Sequence, residues 1–250
     1  MDTRAQRSPA KWESWNPVTG CTKVSDGCRH CYAERFAERW RGIPGHHYEH
    51  GFDLQLRPER LVLPLRWKRP RRVFVDSMSD LFHEGIPDNY VRAVFSVMER
   101  APQHVFHVLT KRPERMLALA PSLPWPANVW MGVTVESGRY AARADALRRV
   151  PAAIRHVSAE PLLGPLDALD LTDIDLVIAG GESGPGRRPP QPGWLRSLRD
   201  RCLTAGVAFT FKGWGGPSQT AGGRLLDGVE WNQSPLAAAA PGGPVQQPLF

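Results

Sequence analysis

Apolar, β-branched and aromatic positions gather in short runs along the chain: RVFVDS at 72–77, HVFHVLT at 104–110, NVWMGVTVE at 128–136, IRHVSAE at 154–160, DLVIAGGE at 175–182 and VAFTFKGW at 207–214. Each is too short for a helix and is bounded by Pro, Gly or charged residues, which predicts a strand. Between the first two runs, Val91, Val94, Phe95 and Met98 recur at i, i+3, i+4 and i+7, one face of a helix, with Asp88 expected as its N-cap. Similar crossovers are expected at 139–150 and 192–205. With an opening strand near 12–18, the pattern is a repeated β-α unit of about six or seven parallel strands. Fold class is therefore α/β, a full or partial (β/α) TIM-like barrel, with a doubly wound sheet as the alternative.

Composition bounds this picture. A chain of 250 residues with 42% hydrophobic content buries a full core in one domain. The strands and helices end by residue 216, giving a barrel domain over 1–216. From Pro217 onward the chain turns to Gly, Ala, Pro and Gln (PLAAAAPGGPVQQPLF), and 217–250 is expected to be a loosely packed, flexible extension anchored only by Trp231. The first residues are polar and charged, without the apolar run of a signal peptide, and no later stretch is apolar over a bilayer's width, so a soluble, cytoplasmic protein with no membrane association is expected.

Net charge is +7, with basic residues in KRPRR (68–72), TKRPER (110–115), RRV (148–150) and GRRPP (186–190). That excess points either to DNA or RNA as a partner or to an Arg-rich solvated surface.

Polar residues collect where the expected strands end: Ser77, Ser79 and Asp80; Thr110 and Lys111; Thr134 and Glu136; Ser158 and Glu160; Gly180, Gly181, Glu182 and Ser183; Lys212. In parallel α/β folds the carboxyl ends of the strands converge on one crevice, where ligands bind. Gly180 and Gly181 either close a turn or let backbone approach a ligand.

Three of the four cysteines lie in GCTKVSDGCRHCYAERF (20–36), after the opening strand, so their loop is expected over the same crevice. Clustered cysteines outside a secreted disulfide framework more often bind metal, and three ligands leave a coordination position open. NPVTGC (16–21) followed by GCRHCYA (27–33) resembles the cluster loop of radical S-adenosylmethionine enzymes, although six residues, rather than that superfamily's usual three, separate Cys21 from Cys28. DSMSDLFHE, LTKRP, GVTVES, SAEPLLGP, AGGESGP and FKGWG are similar to an uncharacterised phage and prophage family carrying this loop, and SMSDLF and TKRP more distantly to the spore photoproduct lyase branch.

The resemblance implies that Cys21, Cys28 and Cys31 ligate a 4Fe-4S cluster whose fourth iron takes S-adenosyl-L-methionine. Reductive cleavage, with electrons from a donor such as flavodoxin or ferredoxin, then yields a 5′-deoxyadenosyl radical. It further implies His30 near adenine, Asp80 at the cofactor's amino group, Lys111 at its carboxylate and Glu136 at the ribose, with Ser79, Thr134, Ser158, Glu160, Gly180, Gly181 and Glu182 lining the pocket. Nucleic-acid modification or repair is the expected reaction class. The rival reading is a zinc-binding nucleic-acid module with His30, His46 or His47 as fourth ligand. Cys202, on a helical face with Leu195 and Leu198, is expected in the core, as are Tyr32, Phe36 and Trp40 on one stripe of a helix after the loop.

Overall fold

The computed structural model describes residues 11–218 and 220–235. Seven parallel strands form one sheet: β1 (Lys11–Trp15), β2 (Arg71–Val75), β3 (Val105–Thr110), β4 (Val129–Thr134), β5 (Ile154–Ala159), β6 (Leu176–Gly180) and β7 (Ala208–Gly213). Their order across the sheet is their order in the chain, with every neighbouring pair in parallel register. That monotonic order settles the alternative left by the sequence. A doubly wound sheet reverses direction at a switch point, which puts helices on both faces. Here the helices that follow β2, β3, β4 and β6 all join one buried cluster on the same face, as right-handed crossovers require, and the sheet curls into a half-barrel. β1 and β7 are not paired to each other, so the barrel is partial.

Alternation along the strands assigns the two faces. Val73, Val75, Phe106, Val108, Met131, Val133, Val157, Val177, Phe209 and Phe211 join one buried cluster with helix residues such as Val91, Val94, Phe95, Met98, Leu195 and Leu198. The alternate positions Trp130, Leu176 and Ile178 cluster separately, with Val105, Ile154 and Ala208 beside them, on the inner face. Both faces are covered, which is why the runs read as continuous rather than alternating apolar stretches; β4 is buried throughout.

Helices α1 (Tyr32–Glu38), α2 (Asp88–Glu99), α3 (Pro113–Leu119), α4 (Arg143–Arg148) and α5 (Pro192–Ala205) complete the units. α2 buries the four periodic positions read from the sequence. Asp88 is not its N-cap: Pro87 occupies that place with extended backbone, and Asp88 is the first helical residue, its carboxylate accepting from Arg115 Nη2 at 2.9 Å. α3 was not expected; its first residue is Pro113, whose fixed φ suits a first helical position. Cys202 is fully buried in the helix-side core, as expected.

One expectation fails. The Tyr32, Phe36 and Trp40 stripe does not face the core: Tyr32 is 53% and Phe36 43% exposed, and Trp40 lies beyond α1, stacked on His46 at 4.2 Å. α1 instead buries Ala33 and Ala37 against Met78, Tyr48 and Phe52, because small side chains let the helix approach closely. The described part of the stretch after Pro217 is mostly exposed but touches the sheet. Leu225–Leu226 pairs with Val229–Glu230, Leu226 is buried, Trp231 packs on Phe209, and its carbonyl accepts from Phe211 N at 2.8 Å. Residues 236–250 of the expected extension lie outside the described residues.

Candidate functional site

The cysteine loop leaves β1 through the short strand Val18–Thr19, which pairs with Gln55–Leu56. Gly20 then bridges to Ser79 in the turn after β2, Ser79 Oγ donating to its carbonyl at 2.6 Å. This sets Cys21 directly over the carboxyl end of the sheet. From there the loop is tied to one strand end after another.

At β3, Arg112 Nη1 donates to Cys21 Sγ at 3.4 Å and to Asp80 Oδ2 at 3.1 Å. Asp80 also accepts from Thr110 Oγ1 at 2.7 Å and Lys111 N at 2.9 Å. Past β4, fully buried Glu136 accepts from Ser25 Oγ at 2.5 Å and Arg143 Nη1 at 2.9 Å, while Lys111 Nζ stands 3.8 Å away. Gly27 lies so close that a Cβ there would come within 2.4 Å of the Glu136 carboxylate; only glycine lets the loop settle on it. Past β6, Glu182 accepts from His30 Nδ1 at 3.1 Å and from Arg188 Nη2 at 2.6 Å, and Arg188 reaches on to the Asp26 carbonyl at 3.0 Å. Burial pushes the Glu182 carboxyl up, but hydrogen bonds from Arg188 and His30 outweigh it and hold the group at about 2. Burial raises Cys21 to about 11, against the opposing guanidinium of Arg112.

Of the residues singled out from the sequence, Cys21, Cys28, Cys31, His30, Ser79, Asp80, Lys111, Glu136 and Glu182 are thus brought together through the loop. Thr134, Ser158, Gly180 and Lys212 share the inner face at the same end by strand alternation. Thr134 Oγ1 is buried without a hydrogen-bond partner, and Glu160 pairs with Lys212 Nζ at 2.7 Å. Gly181 serves packing: a Cβ there would meet the Trp214 carbonyl at 2.1 Å. A cavity of about 460 Å³ opens beside the loop, lined by Val24, Lys111, Arg112, Arg139, Tyr140 and Arg143 among others.

The three thiols are free and partly exposed. Among the described residues no three His, Cys, Asp or Glu side chains are gathered around a single-ion site, so a cysteine and histidine zinc set is not preassembled. His30 is engaged by Glu182, His46 by Trp40, and His47 packs on Tyr48 at 4.7 Å.

Sequence reasoning missed Ser25, Arg112, Tyr140, Arg143 and Arg188, which hold the loop. Arginines in basic runs read as surface charge, yet Arg112 of TKRPER is buried, as is Arg143 outside those runs. The signal was their position, one or two residues past a strand end or on the following helix, opposite the carboxylates.

An open parallel half-barrel with a three-cysteine loop strapped across its carboxyl ends makes this an α/β protein. Residues 8–235 match the model of a family described as "Protein of unknown function (DUF5131)", and the chain belongs to that family. No curated protein and no solved structure matches it. Among the described residues no helix is long and apolar enough to cross a membrane.

Proposed function

We propose that this protein is a radical S-adenosylmethionine enzyme in which Cys21, Cys28 and Cys31 hold a 4Fe-4S cluster, acting on a nucleic-acid substrate and drawing electrons from a flavodoxin or ferredoxin. The observation that carries the reading is the placement of the three thiols: they sit on one loop over the carboxyl ends of the sheet, tied to the ends of β3, β4 and β6. Three soft thiolates fit such a cluster and leave one iron open. When bound, the cluster supplies the electron for reductive cleavage of S-adenosylmethionine, the cofactor that carries the radical chemistry.

The chain's own residues have separate tasks. Glu182 orients the His30 ring through Nδ1. Lys111, beside Glu136 and with its side chain 22% exposed, offers a cation to a ligand carboxylate at the cavity wall. Glu160 and Lys212 present a second partly exposed pair. The nucleic-acid part rests on net charge. Several basic groups are committed within the protein: Arg71 to Glu13, Arg112 to Asp80, Arg115 to Asp88 and Arg188 to Glu182.

Anaerobic purification and reconstitution with iron and sulfide tests the proposal. Wild-type protein is expected to hold about four iron and four acid-labile sulfide per chain. Cys28→Ala should abolish this, and Cys202→Ala, in the helix-side core, should leave it unchanged. Stoichiometric zinc without sulfide, retained after reconstitution, overturns the reading.

A further inference from the structure

Arg112 is a buried cation, 4% exposed, with a sulfur among its acceptors. Its Nη1 serves Cys21 Sγ at 3.4 Å and Asp80 Oδ2 at 3.1 Å, its Nε reaches both Glu84 oxygens at 3.1 and 3.0 Å, and its Nη2 donates to Thr22 Oγ1 at 2.8 Å and the Thr22 carbonyl at 3.1 Å. Every edge of the guanidinium is therefore occupied. Asp80, which aims it, is itself fixed by Thr110 Oγ1 and the amides of Lys111 and Phe82. The cysteines are not equivalent: Cys21 faces this cation, while Cys28 Sγ lies 3.6 Å from the Ser25 hydroxyl.

We propose that Arg112 is a positioning residue for Cys21 whose charged hydrogen bond to Sγ raises the reduction potential of the group the three cysteines hold. The inference rests on the cluster reading above. Reduction adds one electron, from an external one-electron donor, to an iron–sulfur unit whose charge is shared with its thiolate sulfurs. A cation on one of those sulfurs stabilises the added negative charge, and hydrogen bonds to sulfur are among the determinants of cluster potential. Burial of the guanidinium keeps solvent from screening it. Only arginine serves, since a lysine cannot reach Asp80, Glu84, Thr22 and the sulfur with one rigid fork.

The test is a potentiometric titration with dithionite, followed by electron paramagnetic resonance of the reduced state, on reconstituted wild type, Arg112→Met, Arg112→Lys and Asp80→Asn. Arg112→Met should lower the reduced-to-oxidised ratio at fixed potential roughly tenfold, equal to about 59 mV for a one-electron couple. Arg112→Lys should fall between it and wild type. Asp80→Asn, which removes a carboxylate held by the same Nη1 as the sulfur, should shift the potential the opposite way, and Arg112→Lys carries the test if Arg112→Met does not fold. Full iron content with unchanged potential in every folded variant overturns the role of Arg112 alone. A wild type that takes up no iron and sulfide overturns the cluster reading, and this inference with it.

Discussion

The inner face of the half-barrel buries His107 and His156 toward the amino ends of its strands and Asp80, Glu136 and Glu182 beyond the carboxyl ends, and the two sets are treated in opposite ways. Toward the amino ends, Trp12, His107, Trp130 and His156 form a row, with His107 4.8 Å from Trp12, 4.6 Å from Trp130 and 5.8 Å from His156 between ring centres. Desolvation drives His107 far below the usual imidazole range and His156 to about 4, so both are neutral. At the carboxyl ends, Asp80, Glu136 and Glu182 are equally buried, yet each is paired with a guanidinium from a different segment: Arg112, Arg143 and Arg188. A buried group either loses its charge or finds a partner. Neutralisation is local and fixes only packing. Pairing ties distant segments together, and at this end it ties them to the cysteine loop.

The amino-end row should respond to shape alone, and the largest effect is expected at Gly132. A Cβ there would lie 2.3–2.5 Å from three atoms of the His156 ring, which is 1% exposed and has nowhere to move. Gly132→Ala is expected to cost roughly 1–3 kcal/mol by overpacking, read as a shift in the urea midpoint. Pairing it with His156→Ala should recover much of the loss, since contacting residues are not additive. A double mutant as unstable as the sum of the two singles would show that the ring is not the obstacle.

The same contrast explains what was legible in the sequence. Burial of both faces makes the strands continuous apolar runs, so β2 to β7 stood out, though not their order across the sheet, and α2 announced itself through Val91, Val94, Phe95 and Met98. The carboxylates at the strand ends were legible too, because strand phase alone puts them at the mouth. Their partners were not. Whether Arg112 pairs with Asp80 depends on which loops meet in space, and a basic run such as TKRPER looks the same whether solvated or buried. The Tyr32 and Phe36 stripe misled for a related reason: helical periodicity identifies a face, but Ala33 and Ala37 show that close approach decides which face is buried.

A pH series separates the two ends further. The folded His156 imidazole protonates near 4, against an ordinary value of 6.5. Between those values the unfolded chain binds a proton that the folded chain does not, so stability rises with pH there. This contribution is complete above about pH 6.5, is lost as pH falls toward 4, and has a slope of at most about 1.4 kcal/mol per pH unit for one group. Glu182, held near 2 against an ordinary 4.5, acts between those values and so adds to the slope only at the acid end of the series. In urea unfolding from pH 7 to pH 4, His156→Gln should flatten the slope by one group's share, while His47, His83, His104 and His107, also depressed by burial, keep theirs. An unchanged slope would mean that His156 accepts a proton in the folded state.

The smallest effect on stability is expected at the mouth itself. Lys212 and Glu160 pair at 2.7 Å with side chains 33% and 29% exposed, unlike the buried pairs that hold the cysteine loop. Solvent screens such a pair, so Lys212→Met should change unfolding free energy by only about 0.2–1 kcal/mol. The two side chains also crowd Gly180, where a Cβ would stand 3.4 Å from Lys212 Cβ and 3.5 Å from Glu160, so the pair borders the inner face at the carboxyl end of β6. A charged pair that adds little to stability is better suited to meeting a ligand than to holding the fold. Calorimetric titration of the reconstituted protein with S-adenosylmethionine should therefore show weaker binding in Lys212→Met at nearly unchanged stability. Unaltered binding removes the pair from the site, and a loss of stability as large as that expected for a buried pair, roughly 3–5 kcal/mol, would place it with the loop anchors instead.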